Sequence, residues 1–303
     1  MDSKAALATG VGMIMMQRLN VFLKLARVSN LPTVWSNCLV GWVLGGGEFS
    51  SWLSLLMLML GASLAYSAGM VMNDAVDAEF DSEHRPERPL PSGEIKHSTA
   101  WGLAISLLGS ALVLLLIAGA WPILALLLTA VIVAYNVLHK RWKGAVYIMG
   151  GCRLLLYLTA ASVSVKGEWF REVVLIWALA LGIYTVGITL AARGEAEDKG
   201  TGVGAISLLA APLLAAVWTY FLRVESEMAV MVCLVVWAGW TAYSVLILRG
   251  DEEGRVARAV SLLIAGILLI DAVAISAAYP WLGIALVATL PAVLILQKRI
   301  AAT

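Results

Sequence analysis

Charge is scarce in this chain: Asp, Glu, Lys and Arg make up only 14% of its 303 residues, where a soluble domain carries roughly a quarter. That scarcity excludes an ordinary soluble fold. A net charge of +1 also excludes the strongly basic surface that recruits nucleic acid or another bulk polyanion. Cysteine and histidine are nearly as rare, with three of each. Cys38, Cys152 and Cys233 stand far apart inside apolar runs and read as small packing residues. His84, His97 and His139 are equally scattered, so no zinc or haem site is expected. Residues 1–12 lack a charged segment followed by a cleavable apolar core, so no removable signal peptide is expected. Long polar stretches are missing too. The longest, Asn73–Thr99, has about 27 residues, too few for a soluble domain.

What the chain has is apolar surface, with 61% hydrophobic residues and a mean hydropathy of +0.89, which a polytopic membrane protein must have. Helical spans are expected near Leu31–Gly47, Trp52–Met72, Ala100–Gly119, Pro122–Leu138, Ala145–Val165, Glu172–Ala192, Val203–Leu222, Met228–Leu248, Val256–Ser276 and Trp281–Leu296. The first and last are short for a crossing of about 20 residues, so nine or ten spans fit. Upstream, Met13–Arg27 mixes apolar residues with Arg18, Lys24 and Arg27, as an amphipathic helix at the interface would. The expected fold is an all-α polytopic transmembrane bundle, with residues 1–30 as a cytoplasmic, interfacial segment and 31–303 as one transmembrane domain. Under ten spans, 17 of the 21 Lys and Arg residues fall on one side and 3 (Lys166, Arg171, Arg223) on the other, with Arg153 inside a span. Both termini and the charged motifs are then expected on the cytoplasmic side of a bacterial inner membrane.

Three loops on that side carry the polar content. The richest is Asn73-Asp-Ala-Val-Asp-Ala-Glu-Phe-Asp81, followed by Arg85-Pro-Glu-Arg-Pro-Leu-Pro-Ser-Gly93. Asp74, Asp77 and Asp81 recur at i, i+3 and i+7, so one helical face carries them. Carboxylates so placed repel one another unless a cation intervenes, and hard oxygen donors suit Mg²⁺. Arginines following them suit the remaining oxygens of a metal-bound diphosphate. The second loop is Tyr135-Asn-Val-Leu-His-Lys-Arg141, and the third is Ala191-Ala-Arg-Gly-Glu-Ala-Glu-Asp-Lys-Gly-Thr-Gly202. Charged loops also anchor helices without further function, and that reading is open for the second and third. Arg153 and Asp271 lie about eight and fifteen residues into their helices. Arg153 either holds a phosphate, positions a carboxylate or is structural, and Asp271 reads as a structural hydrogen-bond partner. Asn37 reads as a polar group of an internal cavity or as a helix–helix contact.

The motif of residues 73–93 resembles the first signature of the UbiA superfamily of intramembrane prenyltransferases. Arg27-x-x-Asn-Leu-Pro32 is similar to the start of that family's first span. Tyr135 with Lys140-Arg141 resembles its basic loop after the fourth, and Met149-Gly-Gly-Cys-Arg153 resembles a segment of the fifth in some branches. The resemblance implies a bundle of about nine spans around a central cavity open to the cytoplasm. It implies Mg²⁺-dependent transfer of a prenyl group from a polyprenyl diphosphate to an aromatic or other lipophilic acceptor within the lipid. The site residues are then Asp74, Asp77, Asp198 and Arg153 for catalysis and Asn73, Arg85, Arg88, Tyr135, Lys140 and Arg193 for substrate. Asp74, Asp77, Asp81, Glu195 and Asp198 would hold metal. One departure stands out. The family's second motif repeats aspartates as D-x-x-x-D, whereas Arg193-Gly-Glu-Ala-Glu-Asp-Lys-Gly200 offers Glu195, Glu197 and Asp198. A similarly altered motif is found in a UbiA-like branch of the ebo gene cluster. The alternative to an enzyme is a non-catalytic or transport-type relative that binds a lipid or isoprenoid-linked metabolite. An ordinary secondary transporter would place ionisable residues at the midplane of repeated helices, and no clear inverted repeat is present.

Overall fold

Buried in hydrocarbon, a backbone must satisfy its own N–H and C=O groups, and long apolar runs therefore close into helices. The computed structural model describes residues 21–164, 169–196, 202–222 and 227–300. Beyond a helical stretch at residues 21–25, those residues form eleven α-helices and no strand. They are α1 (Leu31–Leu44), α2 (Trp52–His84), α3 (His97–Ile117), α4 (Pro122–Leu138), α5 (Ala145–Ser162) and α6 (Glu172–Ala196). The rest are α7 (Val203–Leu208), α8 (Ala211–Leu222), α9 (Glu227–Arg249), α10 (Arg255–Ser276) and α11 (Pro280–Arg299). Nine of the ten expected apolar runs each fall on one helix. Among the described residues, seven helices are long and apolar enough to cross a membrane.

Three boundaries differ from expectation, each for a physical reason. The run expected as Val203–Leu222 is two helices, α7 and α8. Pro212 has no N–H for the carbonyl four residues back, and its ring crowds that turn, so the helix restarts at Ala211. The last run is not short: α11 has 20 residues, because Pro280 opens it and the helix continues through Lys298 and Arg299, whose long stems can reach the interface. The polar stretch expected as a loop from Asn73 remains helical to His84, making α2 33 residues long. At 1.5 Å per residue that is about 50 Å, against about 30 Å of hydrocarbon. The apolar part, Trp52–Met72, is long enough by itself to cross the hydrocarbon, which leaves Asn73–His84 as a polar extension of the same helix. Pro86 then ends the helix, since the residue before proline is driven out of the helical region, and Arg85 sits at φ −145°, ψ 59°. Of the expected Met13–Arg27 helix, residues 21–25 are helical, with Lys24 exposed and Leu25 buried, and residues 13–20 lie outside the described residues.

α1 lies at the centre, packed against α2, α5 and α10. α10 is buried along most of its length. α3, α9 and α11 turn Ile105, Val113, Val235, Leu246, Ile284 and Ile295 outward, as lipid-facing helices do. Small residues let the inner helices meet closely. At the α5–α6 crossing a Cβ on Gly150 would lie 2.6 Å from both the Gly182 carbonyl oxygen and Val186 Cγ2. Gly150→Ala should therefore destabilise the bundle by about 1–3 kcal/mol, seen as a lower melting midpoint in detergent. Gly109→Ala, where nothing lies within 4 Å, should leave the midpoint unchanged or raise it. Equal midpoints for the two variants would refute the close crossing.

A second, smaller core sits where α2 leaves the apolar region. Leu25, Val71, Met72, Ala75, Ala100 and Ala104 are buried together, and Leu90 and Ile95 pack on them. Those two contacts tie down the segment between α2 and α3. The His97 ring nitrogen Nε2 donates to the Ala75 carbonyl at 2.9 Å and ties the start of α3 to the same turn of α2. Arg88, within that segment, is thereby held over the acidic end of α2.

Candidate active site

Seven residues along a helix advance 700°, so Asp81 returns to within about 20° of Asp74, whereas Asp77 is turned about 60° away. The structure follows that geometry. Asp74 and Asp81 converge on one guanidinium: Arg88 Nη1 lies 2.7 Å from Asp81 Oδ2 and 3.5 Å from Asp74 Oδ1. Arg27, arriving from just before α1, brings Nη2 to 3.3 Å from Asp74 Oδ1. Arg85, half-exposed, stands 4.0 Å from Asp81 Oδ1. Asp77 turns instead to the end of α4. Its Oδ1 accepts from Lys140 Nζ at 2.7 Å and contacts His139 Nε2 at 3.0 Å. Lys140 also lies over the Phe80 ring, 4.9 Å from its centroid. Asn73 is half-buried beside Asp74.

Arg27 adopts a left-handed conformation, φ 44° and ψ 50°. Among the described residues it is the one non-glycine with positive φ. Such a conformation costs about 1–3 kcal/mol and persists only where the surroundings over-determine it. Leu25 and Ala26 on one side and Ser29 and Asn30 on the other are all buried, which fixes the corner and aims Arg27 at Asp74.

The third loop enters differently from expectation. Arg193, near the end of α6, donates Nη1–H to the Lys143 carbonyl at 2.8 Å and Nη2–H to the His139 carbonyl at 3.1 Å. It thus holds the turn between α4 and α5 rather than facing the carboxylates. Tyr135 stacks on His139 with ring centroids 5.4 Å apart. Glu195 and Asp198 lie outside the described side chains.

Arg153 stands apart from the acidic end, deeper in the bundle. From α5 it crosses to α1, where Nη1 donates to Asn37 Oδ1 at 2.7 Å and Nη2 to Thr33 Oγ1 at 3.1 Å. Asn37 in turn donates Nδ2–H to Asp271 Oδ2 at 2.7 Å. Arg153 and Asp271 are therefore joined through an amide rather than paired directly. Asn37 is both a helix–helix contact and the link between two charges.

Two participants are not among the site residues legible in the sequence: Arg27 stands there only within a motif, and His139 only as one of three scattered histidines. For His139 a signal existed, since it immediately precedes Lys140 and Arg141 in a basic loop.

Whether the acids suit a divalent cation can be read from their oxygens. No three described His, Cys, Asp or Glu groups gather at ligand spacing, and each acid is engaged by a cation. Yet the donors are hard carboxylate oxygens, as Mg²⁺ requires. Asp74 and Asp81 already share one positive charge. Asp81 Oδ1 is buried without a hydrogen-bond partner among the described residues. Both bonds to Asp77 land on Oδ1. The residues fit a metal-bound, oxygen-rich ligand.

Residues 34–267 match the model of the UbiA prenyltransferase family. A curated relative, the digeranylgeranylglyceryl phosphate synthase of Metallosphaera sedula, is 28% identical over 203 residues, covering 63% of this chain and 68% of the relative. A solved structure concerned with digeranylgeranylglyceryl phosphate synthase in membranes superposes with a TM-score of 0.61 at 21% identity, covering 86% of this chain and 98% of that one. A UbiA homologue from Archaeoglobus fulgidus, bound to GPP and Mg²⁺, superposes with a TM-score of 0.56 at 16% identity over 82% of this chain and 99% of that one. These two superpositions establish likeness of fold.

Proposed function

Since the chain belongs to the UbiA prenyltransferase family, we propose that its acidic end binds a polyprenyl diphosphate with Mg²⁺ and transfers the prenyl group to a lipophilic acceptor within the membrane. The observation that carries this reading is the convergence of Asp74 and Asp81 on Arg88, with Arg27 beside them and Asp77 held by Lys140 and His139. Three acids and their cations come from α2, the segment after it, the corner before α1 and the end of α4. The Archaeoglobus fulgidus homologue's GPP and Mg²⁺ support the choice of ligand.

Asp74, Asp77 and Asp81 would hold Mg²⁺, which as a Lewis acid would draw charge from the diphosphate oxygens. Arg88, Arg27, Arg85 and Lys140 exchange their carboxylate partners for diphosphate oxygens, and charge-assisted bonds strengthen as the leaving group gains charge. The allylic C1–O bond breaks, and the bonding pair leaves with pyrophosphate. The acceptor nucleophile forms a new bond to C1, and its proton passes to the departing pyrophosphate. The apolar bundle keeps water from the allylic cation. His139 orients Asp77, and Arg193 sets the turn that carries His139 and Lys140. The 17 to 3 distribution of Lys and Arg supports a site on the cytoplasmic side.

The test is pyrophosphate release by purified protein in nanodiscs, with geranylgeranyl diphosphate as donor. Geranylgeranylglyceryl phosphate and 4-hydroxybenzoate serve as acceptors. Release is expected with Mg²⁺ and should fall to background with excess EDTA. Binding of the donor without release under any of these conditions would replace transfer with the binding or transport reading.

A further inference from the structure

Cations from three helix ends gather at one corner of the bundle, away from the carboxylates of α2. α10 packs against both α9 and α11, and Gln297 of α11 donates to the Ser261 carbonyl of α10 at 3.2 Å. That contact sets Lys298 and Arg299, which close α11, beside the opening turns of α10, where Arg255 and Arg258 stand. Arg249 closes α9 and is joined to Arg255 by the short turn 250–254. Gln297 also reaches Asn30 Oδ1 at 3.4 Å, so the corner lies at the same end of the bundle as Arg27.

Membrane topology asks for cations on one side, but neither for their convergence nor for two of them at the start of a helix. Arg255 and Arg258 open α10, and no acid stands in its first turn. Cations there oppose the helix dipole, and a bound anion relieves the conflict. The acids of the α9–α10 turn are a poor source of that anion. Asp251, Glu252 and Glu253 are exposed, and Glu252 meets Arg258 at 3.6 Å with both side chains exposed, a contact worth little. Among the described residues, Arg249, Arg255, Lys298 and Arg299 make no ion pair, and Arg255 Nε is buried without a hydrogen-bond partner. The surface next to these cations is apolar. Leu246, a turn before Arg249, is 70% exposed, and Ile295, a turn before Arg299, is 54% exposed. Positive charge for a phosphate beside bare apolar surface for acyl chains fits an amphiphile rather than a free anion.

We propose that this corner binds the phosphate head of an anionic glycerophospholipid, whose acyl chains lie along the exposed faces of α9 and α11. The site is separate from the diphosphate chemistry and stands whether or not the chain transfers a prenyl group. A general attraction of basic surface to anionic lipid would not depend on which cations are removed, which is the basis of the test.

Thermal melting of the purified full chain is followed in dodecylmaltoside with EDTA. The additions are phosphatidylglycerol, phosphatidylcholine with the same acyl chains, or glycerol phosphate. Phosphatidylglycerol should raise the wild-type midpoint by about 3 °C more than phosphatidylcholine does, the shift for a ligand at roughly tenfold its dissociation constant. Glycerol phosphate at the same concentration should leave the midpoint unchanged. Arg255→Gln with Arg258→Gln should remove at least half of the difference between the two lipids. Lys298→Gln with Arg299→Gln should do the same, and both of those side chains are exposed, so this pair keeps the fold. Lys96→Gln with Arg141→Gln removes as much charge from exposed positions elsewhere and should keep the full difference. Equal shifts by the two lipids in wild-type protein overturn the proposal even if the Arg255 and Arg258 variant fails to fold. So does a difference that survives intact in either substituted pair at the corner, or one that the Lys96 and Arg141 variant loses equally. A shift reproduced by glycerol phosphate would mark a plain phosphate site and overturn the lipid assignment.

Discussion

Asp74→Asn and Asp77→Asn should each lower Mg²⁺-dependent pyrophosphate release by about a hundred- to a thousandfold, the range for removing one preorganised electrostatic partner of a developing charge. The substitution keeps the shape and hydrogen-bonding reach of the side chain and removes only its charge. Asp74 faces Arg27 and Arg88, and Asp77 faces Lys140 and His139, so the two variants strip different corners of the same site. Glu79→Gln and Glu83→Gln supply the control, since both residues lie on the same stretch of α2 but are exposed. Turnover within threefold of wild type in both aspartate variants, measured on protein that still melts cooperatively, would remove these carboxylates from the chemistry.

Arg88→Gln should show two opposed dependences on magnesium. Without metal, Asp74 and Asp81 lose the guanidinium they share, and both are largely buried. Asp74 then keeps Arg27 at 3.3 Å, but Asp81 keeps only Arg85 at 4.0 Å, and breaking the pairing of a buried carboxylate costs about 3 kcal/mol, so the variant should melt below wild type. Added Mg²⁺ can take the vacated place between the two acids, and a ligand that binds only the folded state stabilises it. The gap in melting midpoint should therefore narrow with Mg²⁺, while pyrophosphate release remains at least a hundredfold down because the diphosphate has lost a guanidinium partner. A gap that does not respond to Mg²⁺ would mean that Asp74 and Asp81 do not hold a metal together.

The spans could be read from the sequence because hydrocarbon leaves a helix as the simplest structure in which a single apolar run pairs its backbone. The acid face of α2 could be read because helical periodicity is local. Partnerships across the fold could not. Arg27 meets Asp74 from 47 residues away, His139 meets Asp77 from 62, and Asn37 meets Asp271 from 234. No local pattern encodes those pairings. How far α2 continues as one unbroken helix was only partly legible, for a different reason. Acids in the last turns of a helix oppose its dipole, and only partners from elsewhere in the chain, Arg88 and Lys140, neutralise them and let the helix run on to His84. The break at Ala211 had its cause in plain sight, at Pro212, but average hydropathy does not register a missing N–H.

The two hydrogen bonds from Arg193 end on main-chain carbonyls, and every amino acid carries that group. The grip on the α4–α5 turn is thus indifferent to which side chains the turn displays. Shape and chemistry are held by separate means there: Arg193 keeps the loop in place, while His139 and Lys140 supply the groups that meet Asp77. Residues at positions 139, 140 and 143 can change identity without loosening the anchor. The turn is free to vary its chemistry over time while its position stays the same.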